Sequence, residues 1–171
     1  MAHPDLFRLA PDEREAREAA ERLFENVKGE LVLALPASAE ILHVGATAIP
    51  GCLTKGDLDV AVRVSGDDFG AAEAELAARF TRNAGSTSTE DFAAFEDERR
   101  TPHLGIQLTT KGGAFDFFHV FVAALRADAG LLHDYNMLKN AHDARPMEQY
   151  RAAKDTFVKQ VLGCAVGRHV S

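Results

Sequence analysis

The sequence feature that most constrains the fold of this chain is a turn of small residues. The turn leads into a valine-rich segment with two aspartates. The turn covers 45–51, and the segment after it, 57–64, alternates in polarity at its start. Alternation and an abundance of valine are typical of a β-strand. A short apolar run over 41–44, directly before the turn, predicts another strand. The chain is therefore expected to pass from strand to turn to strand in this region.

The two aspartates, Asp57 and Asp59, form the first candidate site. Residues two apart on a strand direct their side chains to the same face, with Cα atoms about 6.6 Å apart. Two carboxylates at ~4 Å repel each other by about 4 kcal/mol at an effective dielectric constant of 20, so a proton or a cation is needed between them. Oxygen ligands alone favour Mg²⁺ or Mn²⁺. The alternative is that both charges protect an exposed sheet edge.

A third carboxylate would complete a site for two metal ions, and Asp116 is the candidate. The segments 104–108 and 114–122 are predicted strands, and the glycines in 111–113 predict a β-hairpin turn between them. Asp116 lies within the aromatic second segment, where a charge costs free energy unless it is paired or ligated. The alternative is a solvent-facing side chain on a half-exposed strand.

The turn over 45–51 also offers contacts to a phosphate group. Backbone N–H groups of a glycine-rich turn are free to surround an anion. We predict that Gly45, Ala46 and Thr47 contact a phosphate group, with a hydroxyl from Thr47, and that Lys55 adds a cation. A P-loop is excluded, because Gly45 and Gly51 are separated by five residues and the closing Gly-Lys-Ser/Thr sequence is absent.

The remaining segments predict an α+β fold, in which helices flank a mixed β-sheet. Helical periodicity predicts helices over 12–28 and 69–80, and apolar stripes predict further helices in the C-terminal third. The segment 81–100 has no clear pattern and is left unassigned. With 171 residues and no linker or repeat, the chain is expected to form a single domain over 1–171.

Composition and charge argue against several classes of partner. The formal net charge of −7 disfavours non-specific binding of nucleic acid or of an anionic membrane, because both need a basic surface. Neither a signal-peptide pattern nor an apolar stretch of about 18 residues is present, so a cytoplasmic protein is expected. Cys52 and Cys164 are far apart and lack the spacing of a zinc site, which predicts two free thiols.

The turn and the aspartates together resemble a known family. The segment 43–51 (HVGATAIPG), followed by Lys55 and the aspartate pair, is similar to the GrpB family of the nucleotidyltransferase superfamily. That pattern is an apolar residue, Gly-Ser or Gly-Gly, a spacer and Asp-x-Asp; here ten residues separate Gly45-Ala46 from Asp57. The C-terminal residues that match are Tyr135, Leu138, Lys139, Tyr150, Lys154 and Phe157. The resemblance covers about residues 12–163.

The resemblance implies a nucleotidyltransferase fold and the transfer of a nucleoside monophosphate from a nucleoside triphosphate to an unknown acceptor. It implies that a metal ion on Asp57 and Asp59 binds the triphosphate, while Asp116 helps to activate the acceptor as a base or as a ligand. It also implies that the phosphate bound by Gly45, Ala46, Thr47 and Lys55 belongs to a nucleotide, and Lys139 and Lys154 become further candidates for contact with a phosphate group.

Two other functions stay open. Ala46 stands where the family pattern has serine, which leaves a catalytically inactive nucleotide-binding or protein-interaction module as an alternative. His43, His103 and His119 lie on or near predicted strands, so a transition-metal hydrolase is a third hypothesis. His43 and His119 are also expected to border the candidate pocket, because their strands are predicted to be neighbours.

Overall fold

The computed structural model describes residues 4–167, with side chains described as far as residue 163. The helices in this range are α1 (Glu13–Ala34), α2 (Phe69–Arg79), α3 (Phe118–Ala127), α4 (Ala129–His142) and α5 (Met147–Gly167). The strands are β1 (Leu6–Phe7), β2 (Glu40–Val44), β3 (Leu58–Val64), β4 (Thr81–Arg82), β5 (Phe92–Asp97), β6 (Leu104–Thr110) and β7 (Arg145–Pro146).

Five of the strands form one mixed sheet in the order β2, β3, β6, β5, β4. Strand β3 pairs antiparallel with β2 and parallel with β6, and β5 pairs antiparallel with β6 and β4. In this register Asp59 lies opposite Val44 on β2 and Gly105 on β6. The predicted α+β fold with a mixed sheet is confirmed.

Hydrophobic cores lie on both faces of this sheet. Helices α1 and α2 cover one face, where Val60 is fully buried. Helices α3, α4 and α5 pack against the other face, around Ala61. Because side chains alternate along a strand, Asp59 is on the same face as Ala61, toward the C-terminal helices.

Helix α1 begins where the sequence predicts and ends later. The Asp12 carboxylate caps it by accepting hydrogen bonds from the N–H groups of Arg14 (3.0 Å) and Glu15 (3.1 Å). The predicted end at residue 28 is wrong. An exposed glycine, Gly29, costs a helix only about 1 kcal/mol relative to alanine, and the burial of Leu31 offsets this with roughly 1.5–3 kcal/mol.

The predicted hairpin after β6 is wrong as well. Its turn does form, since the N–H of Gly113 donates to the carbonyl of Thr110 (2.9 Å). The chain then enters helix α3 instead of a second strand, because its buried residues Phe121, Val122 and Leu125 recur at helical spacing. The antiparallel partner of β6 is β5, which lies in the segment that the sequence left unassigned.

Two further findings concern helix hydropathy and cysteines. Within residues 4–167, the helices are all too short or too polar to cross a membrane. Cys52 is buried and free, as predicted. The side chain of Cys164 lies outside the described residues.

Candidate active site

A cavity of about 180 Å³ opens beside the start of strand β3. The segment between β2 and β3 forms one wall, and helices α4 and α5 form the other. The cavity is lined by Phe7, Ala46, Thr54, Lys55, Asp57, Asp59, Tyr135, Lys139, Met147, Tyr150, Arg151 and Lys154. The structure therefore brings the two aspartates together with four of the other residues singled out from the sequence: Ala46, Lys55, Lys139 and Lys154.

Asp59 is partly buried between two glycines. A Cβ atom at Gly45 would lie 2.5 Å from its Oδ2, and one at Gly105 would lie 3.0 Å from its Oδ1. No hydrogen bond or ion pair from the described residues reaches this carboxylate. Burial raises the pKa of Asp59, the charge of Lys154 opposes this shift, and nearby Asp57 adds to it. A carboxylate in this setting calls for a proton or a cation.

Asp57 precedes strand β3 by one residue and supplies the second carboxylate. Its Oδ2 lies 3.3 Å from Nζ of Lys55 and 3.9 Å from Nδ1 of His103. About one third of the Asp57 side chain (34%) is exposed. Asp57 thus reaches the cavity with a cationic neighbour on one side and an imidazole on the other.

Thr47 organises the turn that carries the glycine. Its hydroxyl donates to the carbonyl of Asp57 (3.0 Å) and lies 2.9 Å from Nε2 of His43, whose Nδ1 is 2.8 Å from Oε2 of Glu21. Thr47 is buried, and its hydroxyl holds the turn against the start of β3. This position does not support the predicted contact between Thr47 and a nucleotide. Ala46 is the residue of the turn that lines the cavity.

Lys139 is the most deeply buried cation of the cavity, with only 2% of its surface exposed. Its Nζ donates to the carbonyl of Leu53 (2.7 Å) and lies 4.5 Å from the ring centroid of Tyr135. Burial lowers the pKa of Lys139 to about 8. Arg151 and Lys154 line the same cavity from helix α5, so this side of the cavity is suited to an anion.

The sequence analysis missed Arg151 and the role of two tyrosines. The hydroxyl oxygens of Tyr135 and Tyr150 lie 3.4 Å apart, and burial raises the pKa of both. The ring of Phe7, from strand β1, stacks on Tyr150 with a centroid distance of 3.7 Å. Arg151 lies three residues before Lys154, a spacing that places both on one helix face and that the sequence already contained.

Asp116 is not part of this cavity, so its predicted position as third metal ligand is wrong. Its two carboxylate oxygens accept hydrogen bonds from Nε (2.6 Å) and Nη2 (2.7 Å) of Arg63, and one accepts from the N–H of Gly112 (2.8 Å). The Arg63 guanidinium lowers the pKa of Asp116. Arg63 lies four residues beyond Asp59, about 13 Å along β3. The wrong position predicted for Asp116 follows from the wrong prediction of a hairpin after β6.

The three histidines of the hydrolase hypothesis are not brought together. His43 and His119 line a second cavity, of about 220 Å³, between β2 and α3. His119 lies on a helix, so the expected pairing of two strands does not exist. His103 is instead grouped with Glu96 and Glu98, with ligand atoms within 4.8 Å of one another.

Known proteins match this chain over most of its length. The family model of the GrpB protein matches residues 13–163. A UPF0157 protein of Vibrio cholerae serotype O1 is 32% identical over 162 residues, which cover 88% of this chain and 80% of that protein.

A solved structure shares the fold of this chain. The conserved protein GrpB from Enterococcus faecalis has a TM-score of 0.71 at 18% identity, over 90% of this chain and 96% of that chain. Cid1 poly(U) polymerase with bound MgGTP has a TM-score of 0.49 at 14% identity, over 77% of this chain and 42% of that chain. From the match over 13–163 and the 32% identity to the Vibrio protein, this chain belongs to the GrpB family.

Proposed function

We propose that this protein is a divalent-metal-dependent nucleotidyltransferase, which moves a nucleoside monophosphate from a nucleoside triphosphate to an acceptor hydroxyl or phosphate. The observation that carries the proposal is the Asp59 carboxylate, which has no protein partner among the described residues and shares a cavity with Asp57. The Gly-Ala turn and Asp-x-Asp spacing of the nucleotidyltransferase superfamily support the same function.

The donor atoms of the site fit Mg²⁺ or Mn²⁺. Asp57 and Asp59 offer carboxylate oxygens, which both ions prefer, and the raised pKa of Asp59 reflects the free energy that a cation would recover. Such an ion, when bound, neutralises charge on the triphosphate and on the oxygens exchanged in the reaction. Lys55, beside Asp57, limits the repulsion between the two carboxylates before the ion binds.

The opposite wall suits the triphosphate. Lys139, Arg151 and Lys154 place three basic side chains across the cavity from the aspartates. Sites for small organic ligands usually enclose about 300–1,000 Å³, whereas this cavity measures about 180 Å³. We therefore place the triphosphate inside the cavity and the nucleoside at its mouth.

The reaction is an in-line displacement at the α-phosphorus. An acceptor oxygen forms a bond to this phosphorus while the bond to the α,β-bridging oxygen breaks, and pyrophosphate leaves with its charge beside Lys139 and Lys154. The proton of an acceptor hydroxyl passes to solvent at the cavity mouth, because Asp57 is engaged as a metal ligand. Tyr135 and Tyr150 stay protonated and exclude water from the buried end.

A nucleotide-binding module without turnover is the second candidate, because Ala46 brings no hydroxyl to the cavity. The two candidates share the binding step and differ in the chemical step. Incubation with Mg²⁺ and α-labelled nucleoside triphosphates separates them: release of pyrophosphate or labelling of the protein supports the transferase, and binding alone supports the module.

Two variants test whether binding depends on the candidate site. Asp59→Asn is expected to abolish Mg²⁺-dependent triphosphate binding, measured by calorimetry. Asp67→Asn, an exposed aspartate beyond the other end of β3, is expected to leave it unchanged. Equal binding by the wild-type protein and Asp59→Asn would exclude both candidates.

A further inference from the structure

Helix α4 holds the segment that connects the glycine turn to the aspartates. The side-chain carbonyl of Asn136 accepts a hydrogen bond from the N–H of Leu53 (2.9 Å), and its amide donates to the carbonyl of Gly51 (3.0 Å). One turn further along the helix, Nζ of Lys139 donates to the carbonyl of Leu53 (2.7 Å). Asn136 and Lys139 are three residues apart and share a helix face. Helix α4 therefore fixes both the N–H and the carbonyl of Leu53.

The Lys139 ammonium has one hydrogen-bond acceptor among the described residues, the carbonyl of Leu53. The Cys52 thiol donates to the same carbonyl (3.4 Å). An ammonium group has three N–H donors, so two are left for a ligand in the cavity. Because Lys139 is almost fully buried, loss of this acceptor would leave its charge without a hydrogen bond, which is costly. The position of the Leu53 carbonyl therefore determines where the Lys139 charge lies.

Asp59 is a carboxylate without a partner in the same cavity. It lines the space of about 180 Å³ that Lys139 also lines, and no ion pair from the described residues reaches it. Burial lowers the pKa of Lys139 and the charge of Asp59 opposes this shift, so the two groups attract each other without being paired. This attraction is strong where water is scarce. A lysine released from Leu53 would therefore move toward Asp59 and take the place of a metal ion.

We propose that Asn136 is a positioning residue that keeps Lys139 away from Asp59. It does so by holding the carbonyl of Leu53 in place as the acceptor for the ammonium. Asp59 then stays free for a divalent ion, while Lys139 keeps two donors for the phosphate groups. The inference rests on the proposed function, because the ion and the triphosphate are its ligands. Without Asn136, the lysine becomes a competitor of the metal ion.

The test measures the affinity of the full chain for Mn²⁺ by calorimetry, without a nucleotide. Asn136→Ala is expected to lower this affinity about 10- to 100-fold, the usual effect of losing a residue that supports a metal site from outside its ligands. The control is Asn140→Ala, which replaces an exposed asparagine on the same helix and is expected to bind Mn²⁺ as the wild type does.

A double variant separates positioning from a structural role. Asn136→Ala/Lys139→Met has no ammonium that could move to Asp59, so it is expected to bind Mn²⁺ as tightly as Lys139→Met alone. A structural role of Asn136 predicts a different result. A loosened segment would also displace Asp57, and loss of the lysine would not restore the site.

Equal weakening of Mn²⁺ binding by Asn136→Ala in the wild-type and Lys139→Met backgrounds would therefore overturn the inference, as would wild-type affinity in Asn136→Ala. Either result leaves the proposed function intact. Mn²⁺ binding that Asp59→Asn does not change would contradict the proposed function, and the inference with it. If Asn136→Ala does not fold, Asn136→Ser gives the same test, since a serine hydroxyl is too short to reach both peptide groups.

Discussion

The carboxylate of Asp59 lies against the backbone of Gly45, so closely that a Cβ atom at residue 45 would be 2.5 Å from Oδ2. Gly45 has a φ of +75°, in a region that residues with a side chain rarely adopt. The pairing of Val44 with Asp59 holds the turn and the aspartate at the same level of the sheet. The glycine turn and the aspartate pair, which the sequence shows as separate motifs, are thus one structural unit.

Replacing Gly45 with alanine is expected to damage both stability and metal binding. The Cβ clash and the positive φ together predict a loss of about 1–3 kcal/mol in the free energy of unfolding, measured by urea denaturation. Displacement of Asp59 is expected to weaken Mg²⁺ binding in calorimetry. The control is Gly29→Ala, which has open space around it in helix α1 and is expected to gain up to about 1 kcal/mol. A Gly45→Ala protein as stable as the wild type would contradict the close contact.

Asp59→Asn is expected to stabilise the metal-free protein. The pKa of Asp59 is raised on folding, so the native state binds more protons than the unfolded chain between pH 3.8 and the raised pKa. The free energy of unfolding therefore falls as pH rises through that window, by about 1.4 kcal/mol for each pH unit that the window spans. Asp59→Asn does not lose stability in this way, because its amide side chain does not titrate. In EDTA at pH 7 it should unfold at higher urea than the wild type, and on addition of Mg²⁺ only the wild type should gain stability. The opposite order in EDTA would show that the Asp59 carboxylate is not destabilising.

Local patterns predicted the part of the site that is close in sequence. The turn, Asp57, Asp59 and Lys55 fall within a short segment of the sequence, and the structure places Ala46 of the turn, Asp57, Asp59 and Lys55 on one cavity. Lys139 and Lys154 were identified only through the family resemblance, since a lysine on an amphipathic helix carries no sign of burial. Their distance from the aspartates depends on how helices α4 and α5 cross the sheet, which periodicity does not specify.

The prediction failed for a short apolar segment whose pattern fits both the alternation of a strand and the periodicity of a helix. The run around Phe118 satisfies both a strand and a helix, and choosing the strand placed Asp116 beside the aspartates. The true neighbour of β6 is β5, whose residues Phe92 and Phe95 belong to a segment without clear alternation. Because the pairing of β5 with β6 is a contact between separate segments, it was not accessible from local patterns.

Asp116→Ala is expected to destabilise the fold and leave the metal site intact. The Asp116 side chain is 6% exposed and pairs with Arg63 through both oxygens. Removal of one partner of a buried ion pair typically costs about 3–5 kcal/mol; because Arg63 keeps Glu40 at 2.8 Å, we expect about 2–4 kcal/mol in urea denaturation. Mn²⁺ binding to the folded variant should match that of Asp67→Ala, the exposed control. Loss of Mn²⁺ binding in Asp116→Ala alone would return Asp116 to the metal site.

The Lys139 pKa of about 8 predicts two effects of pH that run in opposite directions. Its ordinary value is 10.5, so the unfolded chain binds more protons than the native state between about 8 and 10.5, and Lys139 makes stability rise with pH across this window. Triphosphate affinity should instead fall above pH 8, because the neutral amine no longer attracts the anion.

Burial raises the pKa of Cys52, Tyr135 and Tyr150, so these groups lower stability as pH rises, but only above their ordinary values of 9.0 and 10.0. The rise due to Lys139 is therefore clearest below pH 9.

The Lys139→Met variant isolates the effect of the lysine's charge on binding and stability, because methionine fills similar space without a charge. Lys55, Arg151 and Lys154 still face the ligand in this variant, so weaker binding of tripolyphosphate is expected at pH 7. Between pH 7 and 9 the wild-type affinity should fall while the urea midpoint rises, and in Lys139→Met both Lys139-dependent trends should be absent. Calorimetry and denaturation in the same buffers measure the two quantities. A wild-type affinity that does not change across this range would mean that the anion binds away from Lys139.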